Sequence, residues 1–167
     1  MSLYVEHFRK LHTARIAGKK APHKAILLLS IMELVENGII TTPRIELTER
    51  LEATFEKVWK RYIGSSVIFQ PKVATPYWHM QNEPFYRLYK LGGKNTLGMK
   101  SNYSIPWLRE NVYAIIDEKL LRELQDETTR AELSYALYNT YLKDLNSKSE
   151  MMLSVLTLLG IIINIAA

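Results

Sequence analysis

The sequence contains no cysteine, and that absence removes disulfides, thiolate zinc sites and cysteine nucleophiles from consideration. It accords with a reducing compartment, so the cytoplasm is the expected location. The N-terminal residues lack the uninterrupted apolar run of a secretory signal, because Glu6, Arg9 and Lys10 break it. Among the four histidines, His7, His12, His23 and His79, no pair has the helical spacing of a metal site with a carboxylate beside it. A glycine-rich phosphate loop, a G-x-S-x-G elbow and a dinucleotide fingerprint are all missing. Carboxylates occur in charge-dense helical segments, where they read as solvated faces. The expectation is a binding domain that is not an enzyme, with no cofactor and no metal.

What is there is charge in blocks. The 167 residues carry a net charge of +5. Residues 1–24 hold six Lys/Arg against one acid, and residues 57–100 hold eight against one. Residues 25–56 and 101–167 are net acidic. If the two basic blocks converge they make a face suited to a polyanion, with nucleic acid the default partner.

The first basic block runs into the apolar Ala25-Ile26-Leu27-Leu28-Leu29, and from Ala25 to Val35 only Ser30 and Glu33 are polar. This predicts a buried helix over about 22–37, with Pro22 at its first position and Gly38 as a left-handed cap. Its exposed N-terminal end would present Lys19, Lys20, His23 and Lys24 to a phosphate. The alternative is that these lysines only solvate a loop. Residues 2–17 read as one amphipathic helix with His12 on its apolar side, Ile39–Leu47 as a short strand, and Glu49–Tyr62 as an amphipathic helix capped by Thr48. The aromatic runs Thr75–Gln81 and Phe85–Lys90 predict a β-hairpin around Asn82, Glu83 and Pro84. That hairpin would carry Tyr77, Trp78, Phe85, Tyr86 and Tyr89 either against a nucleic-acid strand or onto the central helix. Helices follow over Trp107–Asn111, Asp117–Gln125 and, capped by Asp126, Thr128–Leu145; residues 112–116 receive no element. The fold class is α+β, a helical core with a small antiparallel sheet in winged-helix-like order. The domain spans 1–148, followed by an apolar tail at 149–167. As a helix the uncharged run from Met151 to Ala167 would span roughly 25 Å, a little short of the ~30 Å hydrocarbon core. Burial on the domain, a homo-oligomer contact and a membrane tether are its three readings.

Ala21-Pro22-His23-Lys24 with its leucine-rich helix, Ile45-Glu46-Leu47-Thr48, Thr75-Pro76-Tyr77-Trp78-His79, Phe85-Tyr86-Arg87-Leu88 and Trp107-Leu108-Arg109-Glu110 with the Leu133–Leu142 helix occur in an order that resembles one family. It is the sulfur-binding domain of phosphorothioate-DNA-dependent restriction endonucleases of the HNH type, and the resemblance covers about residues 5–145. It implies double-stranded DNA with a phosphorothioate backbone as the partner. His23 and Lys24 match the His-basic pair that faces the modified backbone, and Pro76 matches the proline of the sulfur cavity. Thr75 stands where an aromatic is expected and His79 where a small residue is, with Tyr77 or Trp78 offered as the missing aromatic wall. Lys100 and Ser101 fall in the region of a further backbone contact. With no cysteine, and no histidine after His79, no HNH nuclease is expected downstream, so the expectation is a module detached or truncated from a restriction enzyme, or one that recruits a nuclease in trans. The reading from another class is an oligomeric or membrane-tethered interaction protein built on the tail.

Overall fold

A computed structural model describes residues 1–100 and 104–145; Ser101 and the whole 149–167 tail lie outside the described residues. The organising element is α2 (His23–Glu36), in which every residue from Lys24 to Val35 except Glu33 is buried. A helix that is apolar all round needs cover on every side, and α2 receives it from α3 (Glu49–Tyr62), α4 (Ala74–His79), α6 (Glu118–Gln125) and α7 (Glu127–Leu137). Its one interior hydroxyl is satisfied locally, Ser30 Oγ donating to the Ile26 carbonyl at 2.7 Å. The end is a Schellman cap: Gly38 at φ +70° donates to Val35 O (3.0 Å) and Ile39 to Leu34 O (2.9 Å). Pro22 sits one residue earlier than expected, as the N-cap.

The sheet is α+β in the expected sense and antiparallel, with strand order β3 (Arg44–Ile45), β5 (Val112–Ile116), β4 (Tyr86–Lys90). The succession α2, β3, α3, α4, β4, β5, with the short first strand pairing the last, follows winged-helix order. β5 is the central strand, and the sequence reading has no element there. Its alternation is nonetheless regular, Val112, Ala114 and Ile116 buried and Tyr113 and Ile115 half-buried. It begins directly from α5 (Ile105–Asn111), with no turn residue between them to announce a new element.

Three expected elements are corrected. The first helix is only α1 (Tyr4–Arg9). It stops because the next amides find distant acceptors: Leu11 N–H donates to Tyr141 Oη at 2.8 Å and His12 N–H to Glu83 Oε1 at 2.8 Å. The chain then turns through a small hairpin, β1 (Arg15–Ile16) and β2 (Lys19–Lys20), with Ala17 at φ 51° and Gly18 at φ 75°, the positive pair that matches strand twist in two-residue turns. The predicted hairpin at 75–90 is absent. Its first arm is the helix α4, where Pro76 falls in the first turn and so removes no intrahelical hydrogen bond. Its second arm is β4, which pairs with β5 rather than with 75–80. Finally, Ile39–Leu47 yields only the two-residue β3, cut short by Pro43.

Candidate nucleic-acid interface

Beside the N-terminal end of α2 lies a cavity of about 410 Å³. Its walls are His12, Thr13, Ala14 and Ile16 from the segment entering the β1–β2 hairpin, Ala21, His23 and Lys24 at the head of α2, Phe69, then Thr75, Pro76 and His79 of α4, and Asn82. The two basic blocks of the sequence therefore meet here. Of the predicted site residues it gathers His23, Lys24, Thr75, Pro76 and His79. Lys19 and Lys20 do not line it; they line a neighbouring cleft of about 190 Å³ with Arg15, Tyr141, Lys143 and Asp144, on the other side of the hairpin. Lys20 Nζ lies 5.4 Å from the centre of the Tyr141 ring, and Lys19 Nζ donates to the Asp144 carbonyl at 3.3 Å. Lys100 is exposed in the segment after β4 and lines neither.

Tyr77 and Trp78 are corrected as cavity walls. Both are buried core residues. The Tyr77 hydroxyl donates to the Ile45 carbonyl at 2.7 Å, and the Tyr86 hydroxyl donates to the Tyr77 carbonyl at 2.8 Å, tying α4 to β3 and β4. Trp78 packs edge-on to Trp107 with ring centres 6.2 Å apart. Helical geometry explains the split: Tyr77 and Trp78 turn into the core while Thr75, Pro76 and His79, on the adjoining arc of the helix, face the cavity.

Lys24 is corrected too. Rather than standing free at an exposed helix end, it is 5% exposed and its Nζ lies 2.6 Å from Glu83 Oε1. Glu83 is 3% exposed and also accepts the His12 backbone N–H, while its Oε2 sits 3.2 Å from His12 Nδ1. His12 itself is not a core histidine, its side chain being 74% exposed. His23 Nε2 donates to the Gln70 carbonyl at 2.7 Å, which fixes the proton on that nitrogen, and its ring packs on Trp59 and Phe69. Burial holds the His23 imidazole below the ordinary histidine pKa, partly opposed by the Gln70 carbonyl and aided by Lys72. His79 is held down likewise, first by burial and then by the Lys24 ammonium. Both rings therefore favour the neutral form.

The chemistry of this arrangement is that of a mostly apolar recess with one closed ion pair and the His23 and His79 rings held toward the neutral form, set beside a basic hairpin in which Arg15 is exposed and Lys19 and Lys20 are half-buried. Sequence reasoning did not reach His12–Ile16, Phe69 or Glu83. For Glu83 a signal existed: it is the one acid in the basic block 57–100. No group of three or more His, Asp or Glu among the described residues is arranged to hold a metal ion, and no helix among them is long and apolar enough to cross a membrane. Comparison with protein-family models and with curated proteins gives no match for this chain.

Proposed function

We propose that the chain is a DNA-binding module that docks on a phosphodiester backbone beside the head of α2 and takes a phosphorothioate sulfur into the cavity at Pro76. The observation that supports this most is the pairing of an apolar wall, Ala14, Ile16, Ala21, Phe69 and Pro76, with a cation already neutralised by Glu83. A phosphate oxygen entering such a recess loses strong hydration and finds few donors, whereas sulfur is larger, softer and more weakly hydrated. Affinity comes from elsewhere: Arg15, Lys19 and Lys20 on the hairpin and Lys72 near His23 supply sequence-independent backbone contacts. Selectivity thus rests on desolvation and affinity on charge.

The test is binding to paired duplexes that differ in one phosphorothioate. The modified duplex should bind more tightly, and Pro76→Asn should shrink the ratio by roughly 5- to 150-fold, the about 1–3 kcal/mol that separates an apolar wall from a buried, unpaired amide. Binding of ordinary DNA should be spared. Equal affinity of the unmutated protein for the two duplexes would leave only a general nucleic-acid binder.

A further inference from the structure

Glu83 stands apart from every other acid in the molecule's basic regions. Residues 57–100 carry eight cations and this one carboxylate, and it is placed not on the surface but buried behind the cavity wall, bonded to His12 and Lys24, which line it. Three donors hold it there from two separate segments: the His12 backbone amide, the His12 imidazole and the Lys24 ammonium. A merely structural buried acid would need some such partners. What is unusual is which cation it takes. Among the described residues Lys24 is the one lysine or arginine lining the cavity, and its side chain and that of Glu83 are almost wholly shielded from water, at 6% and 2% exposure.

An ammonium left alone in that position would attract any anionic oxygen through a low-dielectric path that salt screens poorly. The cavity would then bind ordinary phosphate as readily as its sulfur analogue. Closed on Glu83, the pair presents no net charge to an incoming group, and the remaining lining is imidazole, amide, hydroxyl and hydrocarbon, with the His23 and His79 rings held toward the neutral form by burial. The cations of the β1–β2 hairpin and Lys72 do not line the recess, and on this reading they act alike on modified and unmodified backbones.

We propose, on the basis of the sulfur-reading function above, that Glu83 is a specificity-determining residue: it withdraws Lys24 from the cavity's charge balance and so penalises the ordinary phosphate oxygen. The role is one of exclusion, achieved by denying the wrong ligand a partner.

Isothermal binding of the full chain to unmodified and singly phosphorothioated duplexes, in wild type, Glu83→Gln and the double variant Lys24→Gln/Glu83→Gln, tests this. In E83Q the freed ammonium should raise affinity for the unmodified duplex by roughly tenfold and steepen its salt dependence by about one counterion, lowering the ratio of modified to unmodified binding. The double variant, which carries no buried charge, should lose that gain. A folded E83Q whose affinity for unmodified DNA is unchanged or lower overturns the proposal, as does a double variant that keeps the gain. Should E83Q not fold, the double variant decides alone: discrimination retained supports exclusion by neutralisation, and discrimination lost shows that Lys24 contacts the ligand directly. The two readings separate cleanly. Equal wild-type affinities for the two duplexes sink sulfur reading, whereas the response of unmodified DNA to E83Q tests the exclusion independently of it.

Discussion

The two ends of α2 each border a recess, and the two recesses are built on opposite plans. At the C-terminal end a cleft of about 540 Å³ is lined by Glu33, Glu36, Arg61 and Arg130 among apolar residues of α2, α3 and α7. Its charges are paired in the open: Glu33 with Lys57 and, at 3.2 Å, with Arg61, and Glu36 with Arg130 at 3.4 Å. The N-terminal cavity is smaller, holds a single pair, and hides that pair from solvent. Volume is therefore a poor guide to which recess matters. The C-terminal cleft is a surface network whose members satisfy one another and remain in contact with water and salt. The N-terminal cavity has spent a buried ion pair on being neutral, and natural cores rarely bury a pair unless something is gained from it.

The comparison breaks most sharply under truncation of one partner at each end. Lys24→Ala leaves Glu83 buried without its cation and should cost about 3–5 kcal/mol of stability. Lys57→Ala removes a cation whose side chain is 56% exposed and should cost about 1 kcal/mol or less. Urea denaturation of the two variants measures the difference, and similar losses would mean that the two ends are not energetically distinct.

A second contrast, smaller in free energy, lies across the β1–β2 hairpin. Lys19→Ala with Lys20→Ala should weaken binding to modified and unmodified duplexes equally and reduce the salt slope by roughly two counterions, because these lysines lie outside the cavity. A change in the ratio between the duplexes would place them inside the discriminating site instead.

The smallest effect is in pH. His23 and His79 hold protons less tightly in the folded chain than at their ordinary value of 6.5. Below about pH 6.5 the unfolded chain therefore binds more protons than the folded one. The stability these neutral rings contribute is fully present above that value and is lost as pH falls through it toward their folded pKa. The denaturation midpoint should decline between about pH 7.5 and about pH 5.5, and His23→Gln, whose amide can still donate to the Gln70 carbonyl, should flatten the decline. Among the described residues no histidine lines the C-terminal cleft, so a pH slope indifferent to His23 would have to arise elsewhere.

How much of this was legible in the sequence follows the range of the signals. α3 runs from Glu49 to Tyr62 as its three- and four-residue spacing predicts, and Thr48 and Asp126 cap α3 and α7 through bonds to Leu51 and Thr129. Gly38 ends α2 as a left-handed cap. All of these depend on residues within four positions of one another. α4 was not legible: six residues give too little period to read, and a segment as rich in aromatics as Thr75–His79 is equally at home in a strand. Its helical state is set by what it packs on, Tyr77 reaching Ile45 and Trp78 reaching Trp107. At the site, His23, Lys24, Thr75, Pro76 and His79 were named in advance from the order of motifs, and they do face one cavity. The opposite wall was hidden because the first helix was read as running through it, and because nothing local says that Glu83 belongs to Lys24.

Glu83 meets residues 71 and 59 positions earlier in the chain. Contacts across such spans are won only after long loops have been closed, a search that slows folding and leaves such contacts to its late stages. The cavity is thus a product of the finished topology rather than of any segment. On the proposed reading, a chain that has not yet closed this pair presents the lysines of the β1–β2 hairpin without the recess that would tell one backbone from another. The closed recess and the cooperative fold arrive together, and the amide of His12, hydrogen-bonded to Glu83, is the atom at which both can be timed.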